Sequence, residues 1–264
     1  MGPLLRREAV VGNTSVTSTR LVQQFAKWPV LGRVKTRLTS ELSPALALQV
    51  HMELMAETAK TLARYSAPAE LWLDKAPAMF ESGIASPAPG IAPTNSDDSG
   101  KVYPSVLVST IRLFGPAPPR LQQGTTLGER MLRALSSGLK SAGQVVLVGS
   151  DCPILTSSYL DQAFASLCEK EFVLGPAEDG GFVLLGASSA AGVSALLDAV
   201  AETDDWSLAT VSWGTGEVLE QTLERLSHYG RSVSLLDTLY DIDRPADLRR
   251  WYAETGRMAV DSSA

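Results

Sequence analysis

Apolar residues change their spacing several times along the chain, and each change marks an element. Arg20 to Ala26 reads as a first strand, although Gln23 and Gln24 interrupt its apolar run. A polar loop, Lys27 to Arg37, follows directly. Ser43 and Pro44 then supply a helix start, a capping hydroxyl followed by proline in the first turn. Leu48, Met52, Met55, Ala59 and Leu62 recur three and four apart, which predicts a buried helical face. His51 lies beside that stripe and reads as a helix-flank histidine. Glu70 to Leu73 predicts a short strand, and Ser105 to Ser109 another. Between them, Ala76 to Pro104 is rich in proline, glycine and serine, so it is expected to be an inserted loop or flap.

In the second half, Leu127 to Leu139 has helical spacing. Gln144 to Val148 is almost entirely apolar, the pattern of a strand covered on both faces. It ends at Gly149-Ser150-Asp151-Cys152-Pro153, after which Thr156 is placed to cap a helix. Glu171 to Leu174 and Phe182 to Leu185 read as strands, Glu217 to Ser227 as a helix, Ser232 to Leu236 as a strand and Pro245 to Tyr252 as a closing helix. Strands alternating with helices predict an α/β domain, a mostly parallel sheet with helices on both faces. Ligands bind beyond the carboxyl ends of such strands, where each polar motif of this chain falls.

The 264 residues suffice for one large domain. Residues 20–256 are expected to form it, with residues 1–19 and 257–264 as tails. The apolar share of 45% excludes wholesale disorder. The net charge of −6 argues against a broad nucleic-acid surface and confines any anion site to a local patch. With only two cysteines and two histidines, a disulfide framework, a thiolate or histidine zinc cluster and a Ser-His-Asp triad all lack parts. Low cysteine use suits a cytoplasmic setting. No apolar run reaches the ~18 residues of a membrane span. The oligomeric state is left open.

Four segments carry candidate chemistry. Phe25 to Leu38 contains Lys27, Lys35 and Arg37, spaced to converge on one anion, with Gly32 permitting close backbone approach and Thr36 adding a hydroxyl. A solvated basic loop explains these residues equally well, and the segment is neither a Walker A nor a dinucleotide turn. Asp151, just past a buried strand, is suited to hold Mg²⁺ or Mn²⁺, although a turn aspartate is the simpler reading of that residue alone. Cys152 has no neighbouring histidine and reads as a packing residue. Glu178-Asp179-Gly180-Gly181 is either a carboxylate pair for sugar hydroxyls and general-base work or a glycine hairpin turn. Asp241 and Asp243, ahead of Pro245, are placed either to complete a metal site from the opposite side of the cleft or to cap the final helix. Helix capping explains one of them but not both. Replacing Asp151 by alanine is expected to leave the fold intact, as befits a surface carboxylate.

These segments, in order, resemble the bacterial radical-SAM/selenodomain-associated transferases, which include arsenosugar-biosynthesis-type glycosyltransferases. The likeness rests on F-A-K-x-P-x-x-G-x-V-K-T-R-L, L-G-E-R-M, G-S-D-C-P, G-P-A-E-D-G-G-F-x-L-L-G, W-G-T-G-E-V-L and D-I-D-R-P-A-D-L. It implies a GT-A, nucleotide-diphospho-sugar transferase-like three-layer sandwich. It also implies that Lys27, Gly32, Lys35, Thr36, Arg37 and Gln122 bind nucleotide and phosphate, and that Asp151 and Asp243 hold the metal. Asp179, with Asp151, takes the catalytic role, and Glu178, Gly180 and Gly181 face the sugar or acceptor. Thr126 stands where the family usually has aspartate. The implied function is metal-dependent glycosyl transfer from a nucleotide-diphosphate sugar to a small-molecule acceptor. Nucleotidyl transfer from an NTP to a phosphorylated small molecule is the alternative, and a non-catalytic nucleotide-binding homologue is a third.

Overall fold

The computed structural model describes residues 19–75 and 105–257. The tail at residues 1–18, the expected flap at 76–104 and residues 258–264 lie outside the described residues. A seven-stranded sheet in the order β3-β2-β1-β4-β6-β5-β7 forms the centre. The strands are β1 (Arg20–Ala26), β2 (Ala69–Leu73), β3 (Arg120–Leu121), β4 (Gln144–Gly149), β5 (Phe172–Pro176), β6 (Phe182–Ala187) and β7 (Val233–Leu235). Every pairing is parallel except those of β6, which runs antiparallel to both β4 and β5. The helices are α1 (Pro44–Arg64), α2 (Ser105–Arg112), α3 (Leu127–Gly138), α4 (Ser157–Ser166), α5 (Ala190–Ala201), α6 (Val218–His228) and α7 (Pro245–Thr255), with 3₁₀ turns at Thr36–Ser40 and Leu208–Thr210.

Alternation along the strands builds the three layers. In β4, Val145 and Leu147 pack with Leu132 and Leu135 of α3 and Leu196 of α5. Val146 and Val148 face the other way, onto Leu62 of α1 and Tyr159 and Phe164 of α4. Both faces are therefore dry, which is why the run reads as uniformly apolar. Each fully buried aliphatic side chain here contributes about 1.5–3 kcal/mol.

The two glutamines of β1 are fully buried, one on each face. Gln23 donates through Nε2 to the Ala134 carbonyl of α3 at 2.9 Å. Gln24 donates to the Met55 carbonyl of α1 and to Ser150 Oγ, both at 3.0 Å. They tie the strand to its covering helices where apolar residues were expected.

The expected strand at Ser105 to Ser109 is instead the first part of α2. Leu107 and Thr110, three apart, are its buried positions, so a helix presents them to one side. Leu107 packs with Met52 and Met55 of α1. Other predicted boundaries hold to within a few residues. Ser43 and Thr156 accept hydrogen bonds from Leu46 and Tyr159 N–H as helix caps. Among the described residues no helix is long and apolar enough to cross a membrane.

Candidate active site

The chain leaves β1 toward β2 on one side, while β4 adds on the other side of β1. The loops after β1 and β4 thus part at a switch point, the place where α/β sheets open a crevice. A cavity of about 650 Å³ occupies it, within the range of small-molecule sites. The basic loop after β1 contributes Lys27, Arg33, Lys35, Thr36 and Arg37, and the loop after β4 contributes Gly149, Ser150 and Asp151.

Local bonds hold the Asp151 loop. Ser150 is buried, accepts from Gln24 and donates to the Phe25 carbonyl at 2.8 Å. Ile242 N–H donates to the Asp151 carbonyl at 2.8 Å, which brings the Asp241-Ile242-Asp243 segment alongside. Capping accounts for part of that segment. Asp247 accepts from the N–H groups of Asp243 and Arg244 at the start of α7, leaving the side chains of Asp241 and Asp243 for the cavity.

Lys35 has the left-handed backbone conformation, φ 48°. Its side chain is only 4% exposed, and its ammonium lies 2.9 Å from Asp151 Oδ2. It also donates to the Ile242 carbonyl. Burial raises the Asp151 carboxyl, but Lys35, His51 and Lys27 more than offset that, and the group lies below its ordinary value. Asp151 Oδ1 is enclosed and has no hydrogen-bond partner. Arg37 pairs with Asp243 and reaches the Gly214 carbonyl at 3.3 Å. Two of the cations expected to meet phosphate are thus paired with the two carboxylates expected to meet metal. Lys27 and Arg33 have no carboxylate partner among the described residues.

The Glu178–Gly181 segment takes the hairpin-turn form that the sequence allowed. It is the hairpin turn between β5 and β6, closed by Ala177 N–H to the Gly181 carbonyl at 2.9 Å and Gly180 N–H to the Ala177 carbonyl at 3.1 Å. Asp179 Oδ1 accepts from Gly181 N–H at 2.9 Å, and Asp179 and Gly181 both line the cavity. Glu178 instead forms a two-bond pair with Arg250 and lines a smaller adjoining cavity of about 330 Å³. Gly180 packs its backbone against Gly216 and lines neither. Gly32, at φ 70°, shapes the basic loop from outside the cavity wall. Gln122, the residue after β3, lines the wall and donates to carbonyls of β1 and β2.

Beyond Asp241, which was expected at the cleft, several cavity residues were not foreseen. His51 is buried rather than flanking, and its Nε2 donates to the Lys27 carbonyl at 2.9 Å. Burial holds its pKa below the ordinary value against the pull of Asp151. It sits three after Leu48 and four before Met55, a spacing that placed it on the inner face. Asp241 is pushed up to about 6 by burial and then by Asp179. Asp74, Arg130 and Trp213 also line the cavity. Cys152 is buried, with its thiol pushed up to about 12 chiefly by burial, which agrees with a packing role. Thr126 lies outside the cavity wall, and its hydroxyl caps α3 by accepting from Glu129 N–H at 3.3 Å.

The fold is that of the nucleotide-diphospho-sugar transferase-like α/β proteins. The chain is similar to a crystal structure from Desulfovibrio desulfuricans G20 provisionally assigned as a nucleotide-diphospho-sugar transferase. The two are 23% identical, with a TM-score of 0.66 over 89% of this chain and 87% of that one. It is also similar to a nucleotidyl transferase from Methanothermobacter, at 11% identity and a TM-score of 0.51 over 89% of this chain and 97% of the other. A 4-diphosphocytidyl-2C-methyl-D-erythritol synthase from Anaerococcus prevotii DSM 20548 superposes with a TM-score of 0.50 and 9% identity, covering 90% and 99%. In sequence, residues 109–215 match a family described as an uncharacterized protein conserved in bacteria, DUF2064. No curated protein matches the chain.

Proposed function

We propose that this protein is a metal-dependent glycosyltransferase that takes a nucleotide-diphosphate sugar as donor and a small molecule as acceptor. The observation that supports this most is the opposition, across the β1–β4 switch point, of the basic loop and a carboxylate with one unpartnered oxygen. The shared fold with the Desulfovibrio protein supports the donor class, the six motifs support a place among the radical-SAM/selenodomain-associated transferases, and low cysteine use suits a cytoplasmic setting.

Mg²⁺ or Mn²⁺ suits the enclosed, unpartnered Oδ1 of Asp151. No three His, Cys, Asp or Glu side chains among the described residues come together to cage an ion. Mg²⁺ commonly takes one or two carboxylates and completes its shell with phosphate oxygens and water. Asp151 would hold the ion, with Asp243 joining when Arg37 turns to phosphate. An ion held there would supply charge neutralisation to the departing diphosphate. Lys27, Arg33 and Thr36 bind that diphosphate from the other wall. Lys35 keeps Asp151 ionised and oriented. Asp179, one oxygen fixed by Gly181, presents the other toward the acceptor hydroxyl to orient or deprotonate it.

Nucleotidyl transfer is the second reading, favoured by Arg130. Its Nε donates to the Gly124 carbonyl at 3.0 Å, and its terminal nitrogens, on the cavity wall, have no partner among the described residues. That spare fork suits a triphosphate or a phosphorylated co-substrate. A panel of NDP-sugars and, separately, NTPs, each with Mg²⁺ or Mn²⁺ and candidate acceptors, tests both. Nucleoside diphosphate release supports glycosyl transfer, and pyrophosphate release supports nucleotidyl transfer. Nucleotide binding with no turnover across the panel would leave a non-catalytic homologue. Thr126 gives that last reading little support, since its side chain caps a helix away from the cavity.

A further inference from the structure

The first half of the sheet, β1-α1-β2-α2-β3, is all parallel, the kind of unit that seats one mononucleotide over its strand ends. At that end the polar groups converge on the Ala26 carbonyl. Asp74 N–H donates to it at 3.3 Å and Gln122 Nε2 at 3.2 Å. The same Nε2 donates to the Trp72 carbonyl at 3.1 Å. A side-chain amide nitrogen carries two hydrogens, so both are spent. The opposite amide orientation would set oxygen against two carbonyl oxygens. Gln122 therefore offers Oε1 to the cavity. Asp74 accepts from Trp28 N–H at 2.6 Å through Oδ1, and its Oδ2 has no protein partner among the described residues. Both side chains line the cavity wall. This wing presents a carboxylate and an amide oxygen, with the amide donors already used.

We infer that the base recognised here is guanine, a step that rests on the nucleotide reading above. Guanine shows N1–H and the N2 amino group side by side, a run of donors that an acceptor-only wall can satisfy. Adenine and cytosine place an unprotonated ring nitrogen beside their amino group, and uracil sets one N–H between two carbonyls. Each of those edges brings a lone pair against Asp74. Leaving buried polar groups unpaired in that way is what makes such sites selective.

Isothermal titration of the full chain in Mg²⁺ with GDP, IDP, ADP, CDP, UDP and xanthosine diphosphate tests this. GDP is expected to bind about tenfold or more tighter than ADP, CDP and UDP, the scale of one good paired contact. IDP, which keeps N1–H and loses the amino group, should also bind more weakly than GDP. Asp74→Asn keeps an oxygen for Trp28 and turns the free position into a donor. It should weaken GDP and strengthen xanthosine diphosphate, whose C2 oxygen replaces the amino group. ADP, CDP or UDP binding as tightly as GDP overturns the guanine assignment alone. GDP and IDP binding equally overturns the role of Asp74, and that comparison needs only the wild-type chain should the variant fail to fold. If no diphosphate binds, the nucleotide reading falls and the base assignment with it.

Discussion

Lys35 and Asp151 form a 2.9 Å ion pair in which the lysine side chain is almost fully buried and the carboxylate still reaches the cavity. The lysine comes from the loop after β1 and the aspartate from the loop after β4, so the pair bridges the switch point. Its asymmetry governs what each substitution does. Removing the aspartate strands a buried charge, whereas removing the lysine frees a carboxylate that water can reach.

The expectation that Asp151→Ala leaves the fold intact is therefore revised. Breaking a fully enclosed ion pair costs about 3–5 kcal/mol, and the exposure of Asp151 lowers that here to about 1–3 kcal/mol. Lys35→Met, Asp151→Ala and the double variant, compared by urea unfolding, should show the double variant losing less than the sum of the singles. Strict additivity would mean that the pair has no energetic coupling.

Asp151→Asn tests the ligand role with less disturbance, since the amide keeps the shape and can still accept from Lys35. If Asp151 holds the divalent cation, the Mg²⁺-dependent part of nucleotide diphosphate affinity should fall about tenfold or more, because a neutral amide is a poor exchange for a carboxylate. Affinity measured in EDTA should change little. A variant whose Mg²⁺ dependence matches the wild type would remove Asp151 from the metal site.

How far the sequence foretold this arrangement depended on whether one segment could carry the signal alone. Val145 to Val148 was legible because both of its faces are buried, so the local pattern is the tertiary pattern. Ser105 to Ser109 misled because Val106 and Val108 are β-branched and alternate, a weak preference that packing on α1 overrides. Ala190–Ala201 is small and apolar almost all round, which leaves little periodic contrast, and β3 is two residues long. Lys27, Lys35, Arg37, Asp151, Asp179 and Asp243 stood out because each lies in a polar segment after a strand or before a helix. Asp74, at the edge of a poorly patterned stretch, and Arg130, inside a helix, enter the cavity wall only through the packing of distant elements. Which acid met which base was likewise invisible before folding.

Glu129 predicts a particular pH dependence of stability. Its carboxylate accepts from Thr125 N–H at 2.8 Å, from Thr125 Oγ1 at 3.0 Å and from Arg133 Nε at 2.8 Å. The Thr125 backbone bond, then Arg133, holds its pKa below the ordinary carboxylate range. A depressed folded-state pKa gives stability that is present above the unfolded pKa of about 4.3 and is lost as the pH falls through the folded value. Glu129→Gln should cost about 1 kcal/mol at pH 7, the scale of a helix-start contact. That difference should shrink toward pH 3, as followed by urea unfolding across the acid range. A constant difference would assign the effect to packing.

Gly180 couples the β5–β6 turn to the Trp213–Gly216 loop, and a methyl group there should break the coupling. Its φ of +87° is strained for any L side chain, and an added Cβ would lie 2.0 Å from the Gly216 carbonyl oxygen, a backbone atom that cannot swing aside. The Gly180 carbonyl also accepts from Leu219 N–H at 2.9 Å, which ties the turn to the first turn of α6, just after that loop. Gly180→Ala is expected to destabilise the fold by about 1–3 kcal/mol or to displace the turn. Displacement would carry Asp179 with it, because Asp179 is anchored to the same turn through Gly181 N–H. If Asp179 acts on the acceptor and the basic loop on phosphate, as proposed, turnover should then fall more than nucleotide affinity, since the basic loop lies on the other wall. A Gly180→Ala protein with unchanged unfolding free energy and turnover would show that the contact with Gly216 yields without consequence.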